Sequence, residues 1–213
     1  LVDAGLVEMR MGIQTAAESS KKLYKRPHSN QQVENAVRMV NEFKGKVRAK
    51  YDIILDSPWD SDQDSIETLM FLSKLPTPFW IGLFSLVYYP GTEVYNRAKK
   101  DGLIKDDLND VYRKTFQAAK KTYYNRLFFL LRDYADIDVG ISTKFMHFLI
   151  HNKIARVLHV TGLLKILYPF YKIRYLIHQK GFIGTLYRQK AIQIPKIARL
   201  LKKLKKETVL LPH

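Results

Sequence analysis

The sequence predicts an α/β protein with a parallel sheet, followed by a basic helical extension. Three strand patterns, each followed by a helical pattern, occupy the first hundred or so residues, which is typical of βα units. The apolar content of 46% is sufficient for a buried core. Charge marks a boundary near Gly140, because residues 140–213 hold fifteen Lys and Arg and one acid, Glu207. We therefore predict three βα units over residues 1–105, a helical connection over 106–139, and a basic, aromatic-rich helical tail over 140–213.

The first predicted strand, residues 7–14, alternates apolar and polar side chains. One face is apolar, and the other carries Glu8, Arg10, Gly12 and Gln14. A strand that places a carboxylate, a guanidinium and an amide on one side either lies at an exposed edge or lines a polar cavity. Asp52, in the next strand, adds a charge on the corresponding face and favours the cavity.

Two helices are predicted between the first and second strands. The first is short and carries Leu23 and Tyr24. The second begins after Ser29, with Gln32 at the position that completes a capping box. Its apolar residues recur at helical spacing and comprise Val33, Ala36, Val37, Val40 and Phe43.

The second and third units repeat the strand and helix order. The second strand is predicted at residues 51–55, with Asp52 and Asp56 on one face. The third strand is predicted at 80–88 and is followed by a helix at 94–100. The helix between these strands carries Ile66, Leu69, Met70 and Leu72.

The pattern becomes helical from Asp106 onward. The apolar positions of the predicted connection are Val111, Phe116, Tyr123, Leu127, Leu130 and Leu131. Beyond Gly140 we expect several short basic helices. The charge-free run at residues 75–92 contains three prolines, so it predicts a buried strand between turns and not a membrane span.

The absence of cysteine excludes a disulfide, a thiolate metal site and a cysteine nucleophile within these 213 residues. His147 and His151 have helical i,i+4 spacing, but no acid accompanies them, so no metal site is predicted. The sequence opens without Met and looks like part of a longer chain.

Four motifs occur in a particular order: Gly12-Ile13-Gln14, Lys25-Arg26, residues 52–58, and residues 89–92. In this order and at this spacing, residues 1–100 resemble the fourth to sixth strands of radical S-adenosylmethionine enzymes. Oxygen-independent coproporphyrinogen oxidase and cobalamin-binding radical enzymes are examples of that family. The resemblance implies the C-terminal half of a partial (β/α)6 TIM-like barrel, followed by the basic helical extension.

The resemblance also implies a cofactor site. Gln14 and Arg26 match residues that contact the methionine end of S-adenosylmethionine, and Asp52 matches an acid that accepts from the ribose hydroxyls. Thr15 stands where many members carry a ligand-contacting Ser, and Arg10 points to the same side as Gln14 if the alternation holds. The residue types suit these partners, since an amide both donates and accepts and a guanidinium pairs with a carboxylate.

Each of these assignments has a simpler alternative. Arg26 could be a solvated cation at a helix end, and Asp52 a solvated acid in its strand. Thr15 could cap the following helix, which is the stronger interpretation of that residue. Arg10 could form an internal ion pair instead of binding a ligand. The family often has glycine at the position of Asp56, which puts the local approach of adenine in doubt.

The chemistry implied by the resemblance is reductive cleavage of S-adenosylmethionine by a [4Fe-4S] cluster, which yields a 5′-deoxyadenosyl radical. The cluster cysteines of the family precede the matched region, so we expect this chain alone to be inactive and assign it no catalytic side chain. Its expected partner is the N-terminal half of the same polypeptide. The sequences of residues 51–59 and 88–92 resemble those of cobalamin-binding members. Cobalamin as a second cofactor, and methyl transfer as the reaction, are therefore alternatives. The resemblance does not identify the substrate.

A different class of function rests on residues 140–213. Their positive charge and aromatic residues suit an anionic membrane surface, and the absence of a nucleic-acid motif makes nucleic acid the weaker partner. The alternative to the enzyme is therefore a membrane-binding module on a non-catalytic barrel scaffold. A plainer interpretation is a set of helices with a solvated basic face. The expected location is the cytoplasm, with the basic tail available to a membrane.

Overall fold

The computed structural model describes residues 1–138, 140–151, 153 and 157. The chain falls into two units, residues 1–160 and 161–213, and the second lies outside the described residues. The short basic helices predicted beyond Gly140 therefore lie largely outside them as well. One helix that begins after Ser142 belongs to the first unit, so the break near Gly140 is a change of charge inside that unit.

The sheet has three parallel strands: β1 at Glu8–Gln14, β2 at Arg48–Leu55 and β3 at Trp80–Ser85. Their spatial order is β1-β2-β3, with both pairs parallel. This confirms the predicted α/β class with a parallel sheet, in the form of an open sheet flanked by helices.

Three strand boundaries differ from the prediction, of which the first is small, since β1 begins at Glu8 and not at Val7. The second strand begins three residues earlier than expected, because Arg48 pairs with Glu8 of β1 and its N–H donates to the carbonyl of Val7 at 2.9 Å. The third strand ends at Ser85 and not at residue 88. The Ser85 N–H donates to the carbonyl of Phe116 at 2.7 Å, so the edge of the sheet is closed there by a later segment.

The helices alternate with the strands and then continue alone. They are α1 (Glu18–Leu23), α2 (Asn30–Asn41), α3 (Asp62–Leu72), α4 (Glu93–Lys100), a π-helical turn (Leu108–Tyr112), α5 (Tyr123–Asp136) and α6 (Thr143–Ile150). The predicted capping box of α2 is confirmed, with Ser29 accepting from the Gln32 N–H and Gln32 accepting from the Ser29 N–H. A second box, between Ser61 and Asp64, begins α3. Among the described residues, no helix is both long and apolar enough to cross a bilayer.

The predicted helical connection is less regular than its sequence indicated. After the π-helical turn, residues 113–122 form no regular element before α5 begins. Phe116, expected on a helix, lies in this segment and packs its ring 5.6 Å from that of Phe84. Phe43, expected in the apolar stripe of α2, follows the end of that helix and is 42% exposed.

The core lies between the helices and one face of the sheet. Tyr51, Ile53 and Leu55 of β2 point into it and are at most 4% exposed. The other large side chains that are almost fully buried include Val37, Leu69, Leu72, Ile81, Leu127, Phe128, Leu131, Met146 and Leu149. α5 packs on β3 and α3, and α6 packs on α3. The opposite face of β2, with Lys50 and Asp52, is only partly buried, and it holds the polar residues discussed next.

Candidate functional site

Two glycines flank an aspartate in the middle of this open face. Gly12, Asp52 and Gly82 occupy the same level of β1, β2 and β3, so all three lie on one side of the sheet. A Cβ atom added to Gly82 would collide with Oδ1 of Asp52. Glycine at position 82 thus leaves room for the Asp52 carboxylate.

Asp52 and Arg10 form an ion pair across the two strands. Arg10 Nε donates to Asp52 Oδ2 at 2.7 Å, and the guanidinium lies 5.5 Å from the centre of the Phe84 ring. The hydrogen bond to Asp52 and its negative charge raise the pKa of Arg10. Oδ1 of Asp52 is buried and has no hydrogen-bond partner within the part of the chain that the structure describes. Of the two interpretations of Arg10, the internal ion pair is the one present here.

A second pair lies one step toward the start of the strands. Lys50 Nζ contacts Glu8 Oε2 at 2.7 Å and lies 5.9 Å from the centre of the Trp80 ring. The hydrogen bond from Lys50 lowers the pKa of Glu8. The open face is therefore a layer of paired charges supported by two aromatic rings of β3.

Gln14 and Arg26 line one cavity of about 400 Å³ at the carboxyl end of β1. The register of β1 shifts between Gly12 and Gln14, and Gln14 has a positive φ of 68°. A Cβ atom on Gly12 would lie 2.5 Å from Gln14 Nε2 and 3.6 Å from Arg26 Nη2. Glycine at this position thus lets the amide and the guanidinium approach the strand. The other residues that line the cavity are Leu23, Tyr24, Lys25, Ile54, Glu93 and Val94.

Arg26 is brought to this cavity by the turn that ends α1. Lys25 has a φ of 51°, and the Arg26 N–H donates to the carbonyl of Lys21 at 2.9 Å. Within the described residues its guanidinium makes no ion pair or hydrogen bond. At the rim, Lys25 Nζ pairs with Glu93 Oε1 at 2.6 Å, with both side chains largely exposed. The cavity thus offers an uncompensated guanidinium beside an amide, which suits a carboxylate-bearing ligand.

Thr15 lies elsewhere, in a second cavity of about 160 Å³ on the helix-covered side. Its side chain is buried, and its Oγ1 lies 3.1 Å from that of Thr68 and accepts from the Ala17 N–H at 3.2 Å. Ala17 is the N-cap residue of α1, and no side chain caps that helix, so Thr15 bonds to the residue before the helix and does not cap it. The hydroxyl is thereby committed to protein partners.

Asp56 also lines the second cavity, so it does not extend the open face of Asp52. It follows the end of β2 with a φ of 63°. Its carboxylate accepts from the Lys120 N–H at 2.9 Å and from Asn125 Nδ2 at 2.7 Å. The Asp56 carboxylate therefore holds the segment before α5 against the end of β2.

Three polar residues that line the cavities were not predicted as site residues: Ser57 and Asp60 in the second cavity and Tyr24 in the first. Asp60 accepts from the Ser20 hydroxyl at 2.7 Å, and burial raises its pKa. The Ser57 hydroxyl is buried nearby without a hydrogen bond in the described region, and burial also raises the pKa of Tyr24. Asp60 and Ser57 follow a strand that was predicted, but only packing against α1 shows that they are partly enclosed.

The described residues contain no group of three or more His, Asp or Glu side chains placed to hold a metal ion. Of the five predicted site residues, Gln14 and Arg26 share one cavity, Arg10 and Asp52 contact each other beside it, and Thr15 lies apart. No protein-family model matches the sequence, and no curated protein matches it significantly.

Proposed function

We propose that this chain is the C-terminal part of a radical S-adenosylmethionine enzyme. The observation that carries the proposal is the shared cavity of Gln14 and Arg26 at the carboxyl end of β1. Cofactors of parallel α/β proteins bind at the carboxyl ends of the strands, where loops can enclose them. The motifs placed these two residues twelve positions apart in sequence, and the turn after α1 is what brings them to one cavity.

The open sheet is compatible with half of a partial (β/α)6 barrel. β1 stands at the edge of the described sheet, so its outer backbone groups are available to a further strand. The outer side of β3 is occupied instead, since Phe79 and Ser85 donate their N–H groups to Ala135 and Phe116. In the proposed barrel, the N-terminal half of the polypeptide pairs with β1, and the charged face becomes the interior.

The residues of the cavity fit the amino-acid end of S-adenosylmethionine. Arg26 would pair with the carboxylate, and Gln14 would hydrogen-bond to the same end of the ligand. Asp52 would accept from the ribose hydroxyls. Its Oδ2 is held by Arg10 and its Oδ1 is covered, so this contact requires the half-exposed Arg10 side chain to move aside.

The cluster does not fit within this chain, because the sequence has no cysteine to supply thiolate ligands. In the proposed enzyme the ligands come from the N-terminal half, in a Cys-x-x-x-Cys-x-x-Cys motif. When bound, S-adenosylmethionine supplies the sulfonium whose reductive cleavage gives a 5′-deoxyadenosyl radical. The described residues bind and orient that cofactor. Whether cobalamin is used, and for which substrate, is open in this proposal.

The proposal is tested by measuring the binding of S-adenosylmethionine to the 213-residue chain by saturation-transfer NMR at millimolar ligand. We expect saturable binding that Arg26→Gln weakens by about 10- to 100-fold, as for the loss of a hydrogen bond to a charged group. Lys22→Gln is the matched control, because Lys22 is exposed on α1, just before the turn that carries Arg26, and does not line the cavity. Circular dichroism of each variant verifies folding.

Two outcomes would refute the proposal. One is a folded chain with no saturable binding of S-adenosylmethionine, and the other is equal affinity in wild type and Arg26→Gln. A second test uses the longer polypeptide with a reconstituted cluster, in which dithionite is expected to yield 5′-deoxyadenosine. A parent sequence without the three-cysteine motif would favour the non-catalytic scaffold.

A further inference from the structure

The last described helix, α6, has two contrasting sides. Met146, Leu149 and Ile150 are buried, with α6 packed against α3. The other side exposes Lys144, His147 and Phe148, of which Phe148 is 48% exposed.

Phe148, on the exposed side, stacks on the partly buried Phe145. The rings of Phe145 and Phe148 are stacked, with centroids 6.2 Å apart and planes 10° apart. Because transfer of a phenylalanine ring out of water lowers the free energy, its exposure beside Lys144 points to a partner that is apolar and anionic at once. Anionic lipid bilayers have this combination of properties.

The sequence from α6 onward carries the positive charge that an anionic bilayer would attract. Residues 139–206 contain no Asp or Glu, whereas residues 140–213 hold fifteen Lys and Arg. This region is also strongly apolar between its cations, as residues 163–171 show with Leu163, Leu164, Ile166, Leu167, Tyr168, Phe170 and Tyr171. Aliphatic side chains at such density contribute nothing to contacts with nucleic-acid phosphates, whereas a bilayer interface accommodates them together with aromatic rings.

We propose that the exposed side of α6 and the basic sequence after it bind an anionic phospholipid bilayer at its surface. Lys and Arg residues supply long-range attraction to the lipid headgroups, and Phe148 enters the interface between them. Electrostatic attraction alone is screened by salt, and one aromatic ring alone binds weakly, so the two contributions act together. This association involves no residue of the Gln14 and Arg26 cavity and does not depend on the proposed enzyme activity.

The test is co-sedimentation of the 213-residue chain with vesicles. Phosphatidylcholine vesicles that contain about one-third phosphatidylglycerol are compared with pure phosphatidylcholine vesicles. We expect binding to the anionic vesicles in about 0.1 M salt and at least a tenfold weaker partition in about 1 M salt. We expect little binding to the neutral vesicles in either buffer.

Two pairs of variants separate the aromatic from the charged contribution. Phe148→Ala is expected to weaken the partition by about threefold to tenfold, and Met39→Ala, at a residue 64% exposed on α2, is its control. A fourfold Lys→Gln change in the tail is expected to weaken it by at least about tenfold. Those positions are Lys202, Lys203, Lys205 and Lys206. A charge-matched control changes four exposed lysines of the first unit, namely Lys22, Lys46, Lys74 and Lys100.

The proposal is overturned if the folded chain ignores anionic vesicles in about 0.1 M salt. It is also overturned if Phe148→Ala binds as wild type does, or if the control lysines matter as much as the tail lysines. Preference for a DNA or RNA duplex over vesicles at equal phosphate concentration would assign the basic sequence to nucleic acid instead.

Discussion

The two faces of β2 differ in how their side chains are buried and paired. On the helix-covered face, Tyr51, Ile53 and Leu55 lose nearly all contact with water and need no polar partner apart from the tyrosine hydroxyl. On the open face, Lys50 and Asp52 keep part of their exposure and take partners from β1. Burial of the aliphatic side chains stabilises the first face, whereas the second gains little stability from its ion pairs.

The difference indicates that the two faces contribute unequally to stability. Partly exposed ion pairs contribute little to folding, so a strand that keeps them on one whole face is better explained by what that face contacts. Gly82 supports this interpretation, because a side chain at that position would collide with Oδ1 of Asp52. Four substitutions measure how far the two faces differ.

The largest effect is expected for Ile53→Ala. Ile53 is 1% exposed on the helix-covered face, so the change leaves a cavity and should lower the free energy of unfolding by about 2–5 kcal/mol. Urea denaturation followed by circular dichroism measures it. Val7→Ala, at a residue 71% exposed, is the control and should stay within about 0.5 kcal/mol of wild type. If Val7→Ala lost as much free energy of unfolding as Ile53→Ala, the proposed difference between buried and exposed positions would be contradicted.

Thr68→Val tests the buried polar contacts beneath the same face. Thr68 Oγ1 accepts from the Ala16 N–H at 3.1 Å and contacts the Thr15 hydroxyl, so valine leaves buried polar groups without partners. We expect a loss of about 1–3 kcal/mol in the free energy of unfolding. Thr68→Ser keeps the hydroxyl and should be clearly more stable than Thr68→Val. Equal stability of the two variants would show that these hydrogen bonds do not matter.

Asp60→Asn should change how stability depends on pH, with a smaller effect than Thr68→Val. Burial raises the pKa of Asp60, so the folded state holds that proton more tightly than the unfolded state. The stability that this provides is complete below the ordinary carboxyl pKa of about 4 and is lost as pH rises through the raised value. Asparagine removes the loss and still accepts from Ser20.

The free energy of unfolding of Asp60→Asn is therefore expected to depend less steeply on pH than that of wild type from about pH 4 upward. Urea midpoints measured across this range provide the comparison, with Asp62→Asn at a neighbouring exposed carboxyl as control. Parallel pH curves for wild type and Asp60→Asn would contradict the assignment.

The smallest effect is expected for Arg10→Gln on the open face. The Arg10 side chain is 51% exposed, so breaking its pair with Asp52 should cost less than about 1 kcal/mol, and less still in high salt. A double-mutant cycle with Asp52→Asn isolates the coupling. A coupling as large as the loss in Ile53→Ala would mean that this pair is a main source of stability.

Local patterns in the sequence determined most of the elements. Alternation predicted β1, and the capping box at Ser29 predicted the start of α2, because both depend on residues within a few positions of one another. The boundaries that differed depend on remote partners. β3 ends at Ser85, where Phe116 supplies the next acceptor, and no local pattern contains that contact.

The candidate site likewise has a part that the sequence predicted and a part that only the structure shows. Gln14, Arg26, Asp52, Arg10 and Thr15 were recognisable as residue types within motifs, but their neighbours in space were not. Parallel pairing set Asp52 between Gly12 and Gly82, and the left-handed turn at Lys25 carried Arg26 toward Gln14. The sequence by itself determined which chemical groups are present and which elements carry them. Only the tertiary structure decided which groups meet, because strand register and turn geometry depend on packing across the whole sheet.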